Sequence, residues 1–148
     1  MRMRLGLIGL LSIIAIASNA SAQSPQEQAL CAKQAKAAVE EWNGGTGPQP
    51  NVIPMGQDYQ SHYNTKLNRC LVSIEAHDQV GKQSVTSALL MDAFEHRVFA
   101  QYGWGSREGK DYWEVPPETC VLSPTPRDKR ACSSKDEYDA FVAKYMKE

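Results

Sequence analysis

Arg69-Cys70-Leu71-Val72-Ser73-Ile74-Glu75-Ala76 is the stretch on which the fold turns. Cys70, Val72, Ile74 and Ala76 recur at every second position, with Leu71, Ser73 and Glu75 between them, and a period of two marks a strand with one face on a core. His77 to Gln83 then reads as a turn, and Val85, Ser87, Leu89 and Met91 alternate again. A tight connection around Phe94 to Arg97 leads into a further alternating run, Val98, Ala100, Tyr102 and Trp104, so the two runs form an antiparallel hairpin. His96 stands in that connection, where a glycine would accommodate the turn more easily. Beyond it, Gly103 to Lys110 is a glycine-rich turn, and Asp111 to Val115 is expected to return as a fourth short strand ended by Pro116-Pro117.

Helix signatures flank this sheet. Ser24, Pro25 and Glu27 make a capping box with proline at the first helical position, and Cys31, Ala35, Ala38, Val39 and Trp42 follow at helical spacing. That helix is predicted to run to about Trp42 and to stop at Gly44-Gly45. Gly44 to Gly56, with several Gly and Pro residues and no clear period, reads as an exposed irregular loop. Near the C-terminus Ser134-x-x-Glu137 forms a second capping box, before Tyr138, Phe141, Val142, Tyr145 and Met146 at helical spacing. The expectation is an α+β domain: an antiparallel β-meander of three to four strands with an N-terminal and a C-terminal helix, both on one face of the sheet.

The chain begins with Arg2 and Arg4, an apolar stretch from Leu5 to Ala17 too short for a stable membrane anchor, and the small residues Ala20-Ser21-Ala22. This is the pattern of a signal peptide over residues 1–22, cut after Ala22, with a cut two residues earlier as the alternative. The expected product is periplasmic or secreted and carries no stable membrane anchor. Removing 22 of the 148 residues leaves 126, a length suited to one domain over 23–148. Two of the 16 basic residues leave with the segment, so 14 face 17 acidic ones, a net charge of −3 with both signs interspersed. Such a balance lacks the basic face that a nucleic-acid partner requires.

Cys31, Cys70, Cys120 and Cys132 all remain after cleavage, and an even count in an oxidising compartment predicts two disulfides. Of three pairings, Cys31–Cys70 and Cys120–Cys132 are preferred. The first ties the N-terminal helix to a strand, and the second brackets a Pro-rich loop. No Cys-x-x-Cys occurs, which removes support for a thioredoxin-like role or a zinc ribbon.

Signals for chemistry are sparse. His62, His77 and His96 lie on different predicted elements without metal-ligand spacing, so neither a metal site nor a cofactor is expected. Glu75, Asp92 and Glu95 lie on or beside strands, but sequence does not supply the separation that paired carboxylates need. There is no Gly-x-Ser-x-Gly elbow, and Gly103-Trp104-Gly105 lacks the context of a dinucleotide loop. No catalytic residue is named. Two clusters offer a binding patch instead: Tyr59, His62, Tyr63 and Asn64 entering the first strand, and Trp104, Tyr112 and Trp113 near Tyr102. On the strand reading of Asp111 to Val115, Tyr112 and Trp113 face opposite sides of the sheet, leaving one of them free for a glycan, peptide or protein.

The chain also resembles a group of small uncharacterised exported proteins of proteobacteria. The resemblance lies in Ser61-His62-Tyr63-Asn64 before Leu67 and Cys70, Asp92-Ala93-Phe94-Glu95, Tyr112 to Pro117 before Cys120, and Cys132-Ser133-Ser134. It implies a periplasmic single domain and carries no activity. The functional expectation is therefore a non-enzymatic binding or structural role in the cell envelope, with a protein or glycan partner. An inhibitor of a hydrolase such as lysozyme is the first alternative, and a small periplasmic hydrolase the alternative of another class.

Overall fold

The computed structural model describes residues 24–46 and 50–147. The N-terminal apolar segment and its cleavage point lie outside them. Helix α1 (Pro25–Thr46) is followed by β1 (Val52–Asn64), β2 (Arg69–Val80), β3 (Gln83–Asp92), β4 (Val98–Gly105), a single 3-10 turn (Tyr112–Glu114), β5 (Thr119–Thr125), β6 (Asp128–Ala131) and α2 (Lys135–Met146). All six strands join one antiparallel sheet in chain order. The α+β class and the meander agree with the sequence, but the strand count is six rather than three to four.

Each extra strand has a local cause. β1 begins inside the stretch expected as a loop: it is the sheet's edge, and its residues from Ile53 to Gln60 are exposed on both faces, so no alternation marks it. Its Pro54 and Gly56 flank a bulge, a place where an edge strand tolerates both. β5 and β6 form a hairpin between Cys120 and Cys132, where a Pro-rich loop was expected; Pro124 lies where the pairing slips between Leu122 and Thr125. Asp111 to Val115 is not a strand. The backbone N–H of Asp111 donates to Glu114 Oε2 (2.9 Å) and that of Glu114 to the Asp111 carbonyl (3.0 Å), closing the 3-10 turn.

The helices cover opposite faces of the sheet, not one. Cys70, Val72 and Ile74 of β2, with Leu89 and Met91 of β3, pack on Cys31, Ala35, Ala38 and Val39 of α1, and Trp42 and Tyr63 close the margin. Their neighbours Leu71, Ala88, Leu90, Ala100 and Tyr102 face the other way, onto Tyr138 and the half-buried Phe141, Val142 and Tyr145 of α2. Leu71 and Val72, adjacent in sequence, are both fully buried, which requires a layer on each side. The resulting order is helix, sheet, helix.

Both disulfides form as paired from the sequence, Cys31–Cys70 and Cys120–Cys132. The first ties α1 to β2, and the second ties β5 to the residues leading into α2. The first capping box forms in full, whereas at the second only the Ser134 cap forms and the Glu137 carboxylate takes the Ser133 N–H (3.0 Å) in place of the Ser134 N–H. Ser24 Oγ accepts the Glu27 N–H (3.1 Å) while Glu27 Oε2 accepts the Ser24 N–H (3.2 Å), and Ser134 Oγ accepts the Glu137 N–H (3.2 Å). α1 continues through Gly44-Gly45 to Thr46, two glycines having been insufficient to stop it.

Candidate functional site

A groove of about 420 Å³ opens where α2 leaves the outer half of β1 and β2 uncovered. Pairing puts Asp58 opposite Glu75, and Gln60 opposite Ser73, on the α2 side of the sheet, and these side chains with His77 form one wall. Asp139, Val142, Ala143 and Met146 of α2, with Lys147 just beyond its end, form the other. One wall is polar and the other largely apolar.

Lys135, at the first turn of α2, bridges the two. Its Nζ donates to Asp139 Oδ1 (2.7 Å) and Glu75 Oε2 (3.1 Å), and it lies over the rings of Tyr138 (5.6 Å) and Tyr102 (5.9 Å). Burial alone would lower its pKa, but the hydrogen bonds to Asp139 and Glu75 outweigh it and raise the value. Burial drives the Tyr102 and Tyr138 hydroxyls well above their ordinary range. The Tyr138 hydroxyl is buried without a hydrogen-bond partner among the described residues.

His77 extends the polar wall. Its Nδ1 meets Thr86 Oγ1 at 3.1 Å across β2 and β3, and its Nε2 lies 3.6 Å from Glu75 Oε1. His62 lies on the same face of β1, whereas His96 sits in the β3–β4 turn, 3.7 Å from Glu41 of α1. The three histidines do not converge. Among the described residues no group of three His, Cys, Asp or Glu is disposed to hold a metal ion.

The two expected clusters stay apart, separated by β2 and β3. In the first, Asn64 is buried: its Nδ2 donates to the Tyr145 carbonyl (3.0 Å) and its Oδ1 accepts the Leu67 N–H (2.9 Å), so it fastens α2 to the β1–β2 turn. Tyr63 packs beside the α1 core and its hydroxyl meets Asn68. Tyr59, 44% exposed, lies at the groove's rim but pairs with Ile74, so its side chain stands on the α1 face of the sheet. In the second, Trp104 Nε1 donates to the Val115 carbonyl (3.1 Å), its ring lies 4.8 Å from that of Tyr112, and the Tyr112 and Tyr102 hydroxyls meet at 3.2 Å. Trp113, 80% exposed, projects from the 3-10 turn.

Sequence reasoning missed most of the groove. Asp58 and Gln60 were hidden in a segment without periodicity, and Lys135 with Asp139 looked like an ordinary pair four apart on a helix. The signal that reached further was Glu75, a strand carboxylate on the row of β2 that alternates with the apolar one and that faces α2.

The β1 edge beside the groove is partly closed. Gln28 of α1 accepts the Tyr63 N–H at Oε1 (3.1 Å) and donates from Nε2 to the Ser61 carbonyl (3.4 Å), so its amide stands in for a neighbouring strand. No helix of the described residues is long and apolar enough to cross a membrane. No protein-family model, curated protein or solved structure matches the chain.

Proposed function

We propose that this chain is an exported, non-catalytic binding protein of the cell envelope, and that its partner occupies the groove between α2 and the β1–β2 wall. The groove itself is the observation that carries this reading: it sets an apolar helix face against a polar strand wall, at a volume that admits a side chain or a sugar ring. Two formed disulfides support an oxidising compartment. The N-terminal sequence supplies the export signal. Exposed Trp113 and Tyr112 offer a second contact region for a large partner.

Partner capture from envelope extract and sedimentation with peptidoglycan test the reading, using the protein and its Val142→Arg variant. Val142 is half-buried on the helix wall, so an arginine there fills the groove while its head reaches solvent. A partner or glycan retained by the protein and lost by Val142→Arg is expected. Equal retention by both moves the site elsewhere, and retention of nothing contradicts the binding role. Undiminished lysozyme activity with excess protein present eliminates the inhibitor reading.

One arrangement favours a hydrolase as the second reading: Thr86, His77 and Glu75 form a hydroxyl–imidazole–carboxylate chain on the groove's polar side. Against it, Glu75 is already held by Lys135. Hydrolysis of a generic ester abolished by Thr86→Val would favour the enzyme over the binding protein.

A further inference from the structure

Resting on the groove as a binding site, we propose that its partner is an extended basic peptide segment that adds to β1 as a seventh strand over Gly56–Gln60. In an antiparallel ladder alternate residues of an edge strand turn their N–H and C=O outward. Gln28 identifies which ones, because it reaches Ser61 and Tyr63 from outside the sheet. The β1–β2 register is unbroken from Gly56 to Asn64, so Gln57 and Tyr59 turn outward as well. Gln28 closes the edge on one side of this window, and Pro54 with its bulge closes it on the other. Between them the edge residues are exposed; Asn43 of α1 pairs with the Gln57 side-chain amide (2.9 and 3.1 Å), and the outward backbone groups of Gln57 and Tyr59 offer two pairing positions.

Charge selects the occupant. Asp58 and Glu75 stand directly opposite each other, an unfavourable placement for like charges. Lys135 answers Glu75, but Asp58 has no ion pair among the described residues. A residue of an added strand opposite Asp58 would lie on the same face at about 5 Å, where a Lys or Arg pairs with Asp58 at the mouth of the groove. Its neighbours would turn to the other face, beside exposed Tyr59, which suits an apolar side chain. The segment recognised therefore alternates basic and apolar residues.

The test is fluorescence anisotropy with a fluorescein-labelled hexapeptide of alternating Val and Lys. Its controls are a Val/Glu counterpart and a copy N-methylated at alternate backbone amides. Saturable binding is expected for the Val/Lys peptide alone, weakened about tenfold or more by Asp58→Asn and by Gln57→Pro. The proline removes an outward N–H and leaves the β1–β2 ladder intact, but also removes the Gln57–Asn43 amide pair, so Gln57→Ala, which removes that pair alone, is expected to bind as the unaltered protein does. A melting curve confirms that Gln57→Pro folds, and Asp58→Asn tests the claim without any backbone change. Binding of the N-methylated peptide as tight as the parent overturns strand addition while leaving the groove as a site. No saturable binding of the Val/Lys peptide also overturns it, and the Val142→Arg capture experiment then judges the groove separately.

Discussion

Asp92, 2% exposed, organises the β3–β4 connection with both carboxylate oxygens. Oδ1 accepts the N–H groups of Phe94 (2.8 Å) and Glu95 (3.0 Å), and Oδ2 takes a charged hydrogen bond from Arg69 Nη1 (2.7 Å). Burial would raise its pKa, yet the Glu95 N–H, Arg69 and the Phe94 N–H together hold it below the ordinary aspartate value. A lowered folded value means that Asp92 contributes stability above the unfolded pKa and loses it as pH falls through the folded one. Asp92→Asn sets an amide against the Arg69 guanidinium and should cost about 2–4 kcal/mol near neutrality. Urea unfolding at a series of pH values should show that gap constant above about pH 5 and shrinking below about pH 4. His96 in the same turn has φ 55°, the left-handed region, so His96→Gly should stabilise by up to about 1 kcal/mol in thermal unfolding. That strain was legible in the sequence, because a histidine stood where the turn asks for glycine. The role of Asp92 was not: its three partners come from the turn's own backbone and from Arg69 on β2.

Elements were readable where one face repeats and opaque where both faces are wet. The apolar stripe of α1 and the aromatic stripe of α2 pack as their spacing predicts. β1 gave no such pattern because its residues from Ile53 to Gln60, at the sheet's edge, are exposed and leave no buried row to repeat. The 3-10 turn at Tyr112–Glu114 was misread because a five-residue segment fits a short strand equally well. At this scale Gln28→Ala should uncover the Ser61 and Tyr63 edge groups and cost about 1 kcal/mol in urea unfolding. Replacing both Cys120 and Cys132 with Ala opens a 13-residue loop and should cost roughly 3 kcal/mol, and the larger loop of Cys31 and Cys70 roughly 4 kcal/mol.

For the molecule as a whole, the placement of the helices on opposite faces determines which part of the sheet stays uncovered. α1 braces one end of the β1 edge through Gln28, while α2 lies across the other face, meets β1 at Asn64 and β2 at Glu75, and leaves the groove open between them. The adjacent burial of Leu71 and Val72 carries this arrangement in the sequence, since a sheet covered on one side leaves one of two neighbours wet. The groove was less legible, because it arises from Asp58, Glu75 and Asp139 on three elements whose packing no local pattern encodes. The most direct measurement is residue-resolved amide hydrogen exchange along β1 in the free protein. Slow exchange at Asp58, Gln60 and Tyr63 with fast exchange at Gln57 and Tyr59 is predicted. Protection of Gln57 and Tyr59 equal to that of their neighbours would mean a closed edge and would contradict the account.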